Sequence, residues 1–167
     1  MRPFDQAIEA GLIDGRQSEA ALMVRRGVAR LMRRTGASCL FEVTLPTGRR
    51  ADLIAVGAKG EIWIVEVKSS IADFRADTKW PDYREWCDRF FFATHPEVPE
   101  EIFPQEAGLM MSDGFGADIL RHAPAHPLAA ARRKAVTLRL AQFAANRLHD
   151  LMDPALTSGE AGSGFDI

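Results

Sequence analysis

Two short apolar segments, Arg50-Ala-Asp-Leu-Ile-Ala-Val56 and Ile62-Trp-Ile-Val-Glu-Val-Lys68, flank a turn containing Gly57 and Gly60, and each carries charge where a buried strand should have none. β-Branched and large apolar residues dominate both, which predicts two adjacent buried strands. Burying an ionised group without a partner is costly, so Asp52, Glu66 and Lys68 restrict the chain to folds that supply partners for all three. A divalent cation with its water is one solution. A salt-bridge network on a hairpin face is another.

Strand alternation sharpens the choice. Ile62, Ile64, Glu66 and Lys68 point to one side, and Trp63, Val65 and Val67 to the other. A hairpin that sets Val56 opposite Ile62 sets Asp52 opposite Glu66, with Cβ atoms about 4.5–5.5 Å apart. A register one residue tighter would pair Asp52 with Val65 on the other face. The first register is the expectation. Two carboxylates this close repel and raise one pKa unless a cation lies between them, and their hard oxygens suit Mg²⁺ or Mn²⁺.

Asp52 followed fourteen residues later by Glu66-Val-Lys68 on the next strand resembles the motif of the PD-(D/E)XK nuclease superfamily. The Pro that names the motif is replaced by Ala51. The resemblance implies a restriction-endonuclease-like α/β (α+β) core, a central mixed sheet flanked by helices in the order αβββαβ. It implies Asp52, Glu66 and the Val67 carbonyl as metal ligands, and Lys68 beside the attacking water. Many members place a further acidic residue on the first helix, a position Glu19 would fill; an acid favourable to the helix dipole is the plainer reading. Lys79 and Tyr83 have the spacing of the Gln-x-x-x-Tyr element of RecB-like nucleases, with Lys in place of Gln and Pro81 between them.

More specifically, the run from Val65 to Phe90 resembles MmcB-type bacterial DNA-repair proteins, over about residues 16 to 150. That resemblance implies a DNA-repair-associated, metal-dependent deoxyribonuclease, with DNA as partner and repair proteins as further partners. A catalytically silent DNA-binding accessory with the same fold is the alternative, and a protein-interaction domain a third reading. Activity, preferred DNA structure and oligomeric state stay open.

Charge distribution agrees with a DNA partner. Net charge is −2, but Arg16 to Arg34 holds six Arg against Glu19, and Arg132 to Arg147 holds four Arg and Lys134 with no acid. Phosphate contact needs only such local patches, so Arg25, Arg26, Arg132, Arg133 and Lys134 are candidate DNA-binding residues beside Lys79 and Tyr83. A solvated helix face would use the same residues. Trp80 could stack on a base or simply pack. Cys39 and Cys87 fit neither a metal-ligand spacing nor a disulfide framework, and no apolar run approaches the length of a membrane span. The expectation is a cytoplasmic protein.

With 167 residues and 47% hydrophobic content, one core is the default. Residues 1–15 read as an arm, 16–152 as one domain and 153–167 as a flexible tail. Within the domain, Ala21, Leu22, Val24, Val28, Leu31 and Met32 predict a helix over 17–34, with Arg25, Arg26, Arg30, Arg33 and Arg34 outside its apolar stripe. Strands are expected over 39–45, 50–56, 62–68, 90–94, 109–112 and 118–121. Ser70 and Asp73 predict a capped helix to about Thr78, Pro81 a second helix to about Asp88, and residues 129–151 a long helix. Residues 95–105, with three prolines, read as a loop.

Overall fold

The computed structural model describes residues 18–153; the expected arm and the tail beyond residue 153 lie outside them. Helix α1 (Glu19–Arg34) begins where the Ser18 hydroxyl accepts a hydrogen bond from the Ala21 N–H at 3.2 Å, and the chain leaves it through Gly36 at φ 79°. Strands β1 (Ser38–Thr44), β2 (Arg50–Val56) and β3 (Ile62–Val67) form an antiparallel meander. Helix α2 (Ile71–Ala76) and a 3₁₀ turn (Trp80–Trp86) carry the chain across to β4 (Arg89–Thr94), which pairs parallel to β3. Such a crossover is what a parallel neighbour requires. β5 (Gly108–Ser112) continues parallel, β6 (Ala117–Arg121) returns antiparallel, and helix α3 (Ala130–Met152) closes the described chain.

The result is a mixed sheet of strand order β1-β2-β3-β4-β5-β6 with helices on both faces. Its first six elements follow the expected αβββαβ order, counting α2 as the second helix. Alternation divides the core in two. Ile54, Ile62, Ile64, Phe90, Phe92 and Leu109 pack with Val136 and Leu140 of α3. Leu53, Val65, Phe91 and Met110 pack with Val24, Val28 and Met32 of α1. Each such side chain contributes about 1.5–3 kcal/mol on burial, so the central strands fix the sheet's register.

Four expectations need correction. Pro81 opens a 3₁₀ turn rather than an α-helix. α2 stops at Ala76, and the segment 95–105 contains a 3₁₀ turn at Glu100–Ile102. Arg25 does not lie outside the buried stripe of α1: it is 1% exposed. The helix tolerates this because Glu42 on β1 meets the guanidinium at 3.0 Å and the Phe41 ring lies 4.6 Å from it.

A polar latch joins the first turn of α3 to the sheet. Asp88 accepts the Ile62 and Leu128 N–H groups at 2.7 and 2.8 Å, and two guanidinium N–H groups of Arg133 at 2.7 and 2.8 Å. Burial opposes the charge, but these donors outweigh it and pull the Asp88 carboxyl down to about 2. Among the described residues, no helix is long and apolar enough to cross a membrane.

Candidate functional site

The β2–β3 hairpin takes the expected register: Val56 pairs with Ile62, and the ladder runs to Leu53 opposite Val65. The next pair is Asp52 and Glu66, and there backbone pairing gives way to side chains. The Asp52 N–H donates to Glu66 Oε1 at 3.1 Å, and the Val67 N–H donates to Asp52 Oδ2 at 2.8 Å. Each carboxylate thus spends one oxygen on a backbone donor of the strand that faces it.

The same row extends to β1. Phe41 pairs with Leu53 and Val43 with Ala51, so Glu42 stands opposite Asp52, yet the ladder skips it. Glu42 has φ 51°, a left-handed conformation that non-glycine residues rarely adopt. Alternation reverses at this point on both strands. Phe41 and Leu53 pack on the α1 side, whereas Val43 and Ala51 pack on the α3 side. Glu42, Asp52 and Glu66 therefore form one acidic row across three strands, at a local kink in the hairpin. Glu42 itself is matched by Arg25 at 3.0 Å and Arg50 at 3.4 Å.

Lys68 follows β3 directly and is only 6% exposed. Its backbone is clamped by β4: the Lys68 N–H donates to the Ala93 carbonyl at 2.9 Å, and the Thr94 hydroxyl donates to the Lys68 carbonyl at 2.7 Å. The ammonium lies 2.7 Å from Asp77 Oδ2 and 4.0 Å from Glu66 Oε2. Asp77 Oδ1 accepts the Lys79 N–H at 3.0 Å, which fixes the carboxylate that fixes the lysine. These groups open on a cavity of about 320 Å³. Asp52, Glu66, Val67, Lys68 and Ser69 form one wall, Ser18, Ala21 and Arg25 of α1 another, and Asp73 of α2 completes it.

Electrostatics follow from burial. Desolvation raises the Asp52 carboxyl, against the pull of the Val67 N–H and the charges of Lys68 and Arg25. Glu66 goes well above the ordinary carboxylate range, through burial first and the Asp52 charge second. Burial would lower Lys68, but the hydrogen bond to Asp77 and the Glu66 charge carry it upward. A cation between Asp52 and Glu66 would relieve both carboxylates at once. Two carboxylates with a backbone carbonyl are hard oxygen donors of the kind Mg²⁺ and Mn²⁺ accept, with water completing the shell. Among the described residues, no group of three His, Cys, Asp or Glu side chains is arranged to hold a metal ion, so the carbonyl and water would have to contribute.

The other candidates are dispersed. Glu19 is exposed in the first turn of α1 and is not part of the cavity wall, although Ser18 and Ala21 are. Arg26, Lys79 and Lys134 are exposed. Tyr83 is buried, stacks on Phe90 with ring centroids 6.0 Å apart, and donates its hydroxyl to the Arg50 carbonyl at 2.9 Å. Trp80 packs on Phe90 and Phe92. Arg132 pairs with Glu85 and Arg133 with Asp88, at the start of β3 and away from the cavity at its end.

Sequence reasoning missed Glu42, Asp73 and Asp77 as neighbours of the site. Glu42 carried the signal that exposed Asp52, a charge between apolar residues of a strand. Asp77 carried none, because its place depends on where α2 stops.

A family model for MmcB-like DNA repair proteins matches residues 8–155. The SPO1766 protein of unknown function from Silicibacter pomeroyi is 43% identical, with a TM-score of 0.81 over 88% of this chain and 99% of that one. A repair endonuclease from Pyrococcus abyssi is 19% identical over 53% of this chain and 42% of that one, with a TM-score of 0.34. No curated protein matches. With a family model spanning most of its length and a solved relative matched nearly end to end, the chain belongs to the MmcB-like family of DNA repair proteins.

Proposed function

We propose that this protein is a Mg²⁺- or Mn²⁺-dependent deoxyribonuclease that hydrolyses phosphodiester bonds during DNA repair. The observation that carries the reading is the convergence of Asp52, Glu66 and Lys68 in one solvent-open cavity, with the carboxylates in the register their spacing requires. A family of DNA repair proteins supplies the context.

Asp52, Glu66 and the Val67 carbonyl would hold the cation, which supplies positive charge for the scissile phosphate and a more acidic water. Lys68, kept protonated and oriented by Asp77, directs the attacking water and offsets negative charge growing on the phosphate oxygens. The backbone N–H groups of Asp52 and Val67 hold the two carboxylates in place before substrate arrives.

The test is cleavage of labelled single-stranded, flap, nicked and abasic DNAs with Mg²⁺ or Mn²⁺, by wild type, Asp52→Ala and Lys68→Ala. Wild type should cut and both variants should not, with Mn²⁺ affinity lost in Asp52→Ala and retained in Lys68→Ala. A wild type that binds these DNAs and cuts none would be a DNA-binding accessory. One that neither binds nor cuts would point to a protein-interaction role.

A further inference from the structure

Helix α1 links the cavity to a second feature of different chemistry. Helical spacing places Met23, Arg26, Arg30 and Arg33 along one face, and all four are exposed. The β5–β6 turn packs against this helix. Gly27 approaches it so closely that a Cβ there would lie 2.3 Å from the Gly116 carbonyl oxygen. Arg30 Nη1 donates to the Phe115 carbonyl at 2.8 Å, and Arg34 Nη2 to the Ala117 carbonyl at 3.0 Å.

The turn is firmly built. Asp113 Oδ1 accepts the Phe115 and Gly116 N–H groups at 2.9 and 2.8 Å. The Ser112 hydroxyl accepts the Gly114 N–H at 3.2 Å and donates to the Gly116 carbonyl at 3.0 Å. At its tip the Phe115 side chain is 79% exposed, the most exposed large hydrophobic among the described residues. Among the described residues the ring stacks on no other aromatic side chain, yet its backbone is anchored through the Phe115 N–H and carbonyl. Beside it lies a concavity of about 460 Å³ bordered by Arg34, Pro96, Met111 and Leu120. Asp113 and Asp118 also border it, but Asp113 is committed to the turn's own N–H groups; of the α1 arginines Arg34 borders the concavity, and Arg26, Arg30 and Arg33 lie on the exposed helix face outside it.

We infer that Phe115 is a stacking platform for an unpaired base, and that the phosphates of the same strand run along Arg26, Arg30 and Arg33 toward the cavity. Planar bases stack on an exposed, fixed aromatic ring, and arginines beside it meet the backbone charge. From Ser18 to Arg30 the helix rises roughly 18 Å, the length of about five stacked nucleotides. The substrate class is thus DNA with a single-stranded segment. The inference shares with the proposed function only the premise that DNA is the ligand.

The test is fluorescence anisotropy of the full chain without divalent metal, on labelled oligothymidylate and on blunt duplex of equal length. Phe115→Ala should weaken single-strand binding about 5- to 100-fold, the range for one stacked base, and leave duplex binding nearly unchanged. Phe115→Trp should retain affinity. The double variant Arg26→Ala, Arg33→Ala should weaken both ligands and flatten the salt dependence by roughly one to two in log–log slope. Single-strand affinity unchanged in Phe115→Ala, or single-strand and duplex affinity falling together, would overturn the inference. So would light scattering in which Phe115→Ala dissolves a wild-type oligomer, since the ring would then serve a protein contact. With no metal present, binding is read apart from cleavage. Phe115-dependent binding by a protein that never cuts would remove the nuclease reading alone, and cleavage with Phe115-independent binding would remove this one alone.

Discussion

Lys68 turns its ammonium toward Asp77 at 2.7 Å rather than toward Glu66 at 4.0 Å. That choice leaves Glu66 Oε2 uncommitted to a close ion pair and open to the cavity. It also makes Asp77, nine residues away on no strand, the residue that sets where the lysine points. A charge-assisted hydrogen bond of this kind contributes roughly 1.5–3 kcal/mol. Asp77→Asn should lower the unfolding free energy by about that amount in urea titrations, and should lower turnover more than DNA affinity. Stability and turnover both equal to wild type would mean that Asp77 does not position Lys68.

The acidic pair gives a prediction of unusual sign. Burial and mutual repulsion work against Asp52 and Glu66 in the metal-free protein, since both carboxyls are pushed upward. Asp52→Asn should therefore raise Tm in EDTA, where most core substitutions lower it. In Mn²⁺ the order should reverse. A ligand at one hundred times its Kd stabilises by about 2.7 kcal/mol, a gain open to wild type and closed to the variant. Thermal melts of both proteins, with EDTA and with MnCl₂, decide the matter. An Asp52→Asn protein that melts lower than wild type in EDTA would show that the pair is a structural network.

Much of this site was legible because β3 and the paired part of β2 obey a period of two. Once Arg50–Val56 and Ile62–Val67 are adjacent strands, Gly57 and Gly60 at the turn allow few registers, and only one keeps Ile54, Ile62 and Ile64 on a common face. That register sets Asp52 opposite Glu66, whereas the reversal of alternation at Asp52, which leaves Ala51 and Ile54 on one side of the sheet, was not legible. Arg25 was misread through its residue type: the helical period sets it one turn from Ala21 and from Val28, inside the apolar stripe, but only Glu42 on another strand explains how a guanidinium is buried there. The Pro81 segment misled for a similar reason. Proline suits the first turn of either helix type, and what selects the 3₁₀ form is tertiary, with Trp80 and Tyr83 both reaching Phe90. Local signals name elements; partners distant in sequence decide depth and tightness.

Asp88 predicts how acid unfolds the protein. Its carboxyl titrates at about 2 in the folded chain, against roughly 3.9 in an unfolded one. A depressed folded value contributes stability that is present above the unfolded pKa and is lost as pH falls toward 2. At about 1.4 kcal/mol per unit, the latch stabilises by roughly 2–3 kcal/mol at neutral pH. Asp52 and Glu66 act with the opposite sign: their raised carboxyls favour folding below the unfolded pKa and oppose it as pH rises through the folded values. Asp88→Asn should flatten the acid limb of stability against pH, and Asp52→Asn the limb above it. Acid limbs that superimpose for wild type and Asp88→Asn would show that the Arg133 and backbone donors do not hold the charge.

The Arg25–Glu42 pair should be stronger in company than alone. Arg25 is 1% exposed and Glu42 side-chain exposure is 17%, so removing Glu42 takes a carboxylate from a buried guanidinium, whereas removing Arg25 leaves Arg50 beside Glu42 at 3.4 Å. Breaking such a pair typically costs about 3–5 kcal/mol, while replacing both members with apolar residues of similar volume costs far less. Glu42→Leu should therefore destabilise severely, and Glu42→Leu with Arg25→Met should recover much of the loss. Glu42 adds a second cost to the native state, because φ 51° strains any residue with a Cβ. Glu42→Gly should relieve that strain while removing the counter-ion, and so should be milder than Glu42→Ala, which removes the counter-ion and keeps the strain. Urea titrations of the single and double variants give the coupling energy directly. Additive losses would mean that the kink opposite Asp52 is held by the sheet alone, and that the buried guanidinium has no part in shaping the carboxylate row.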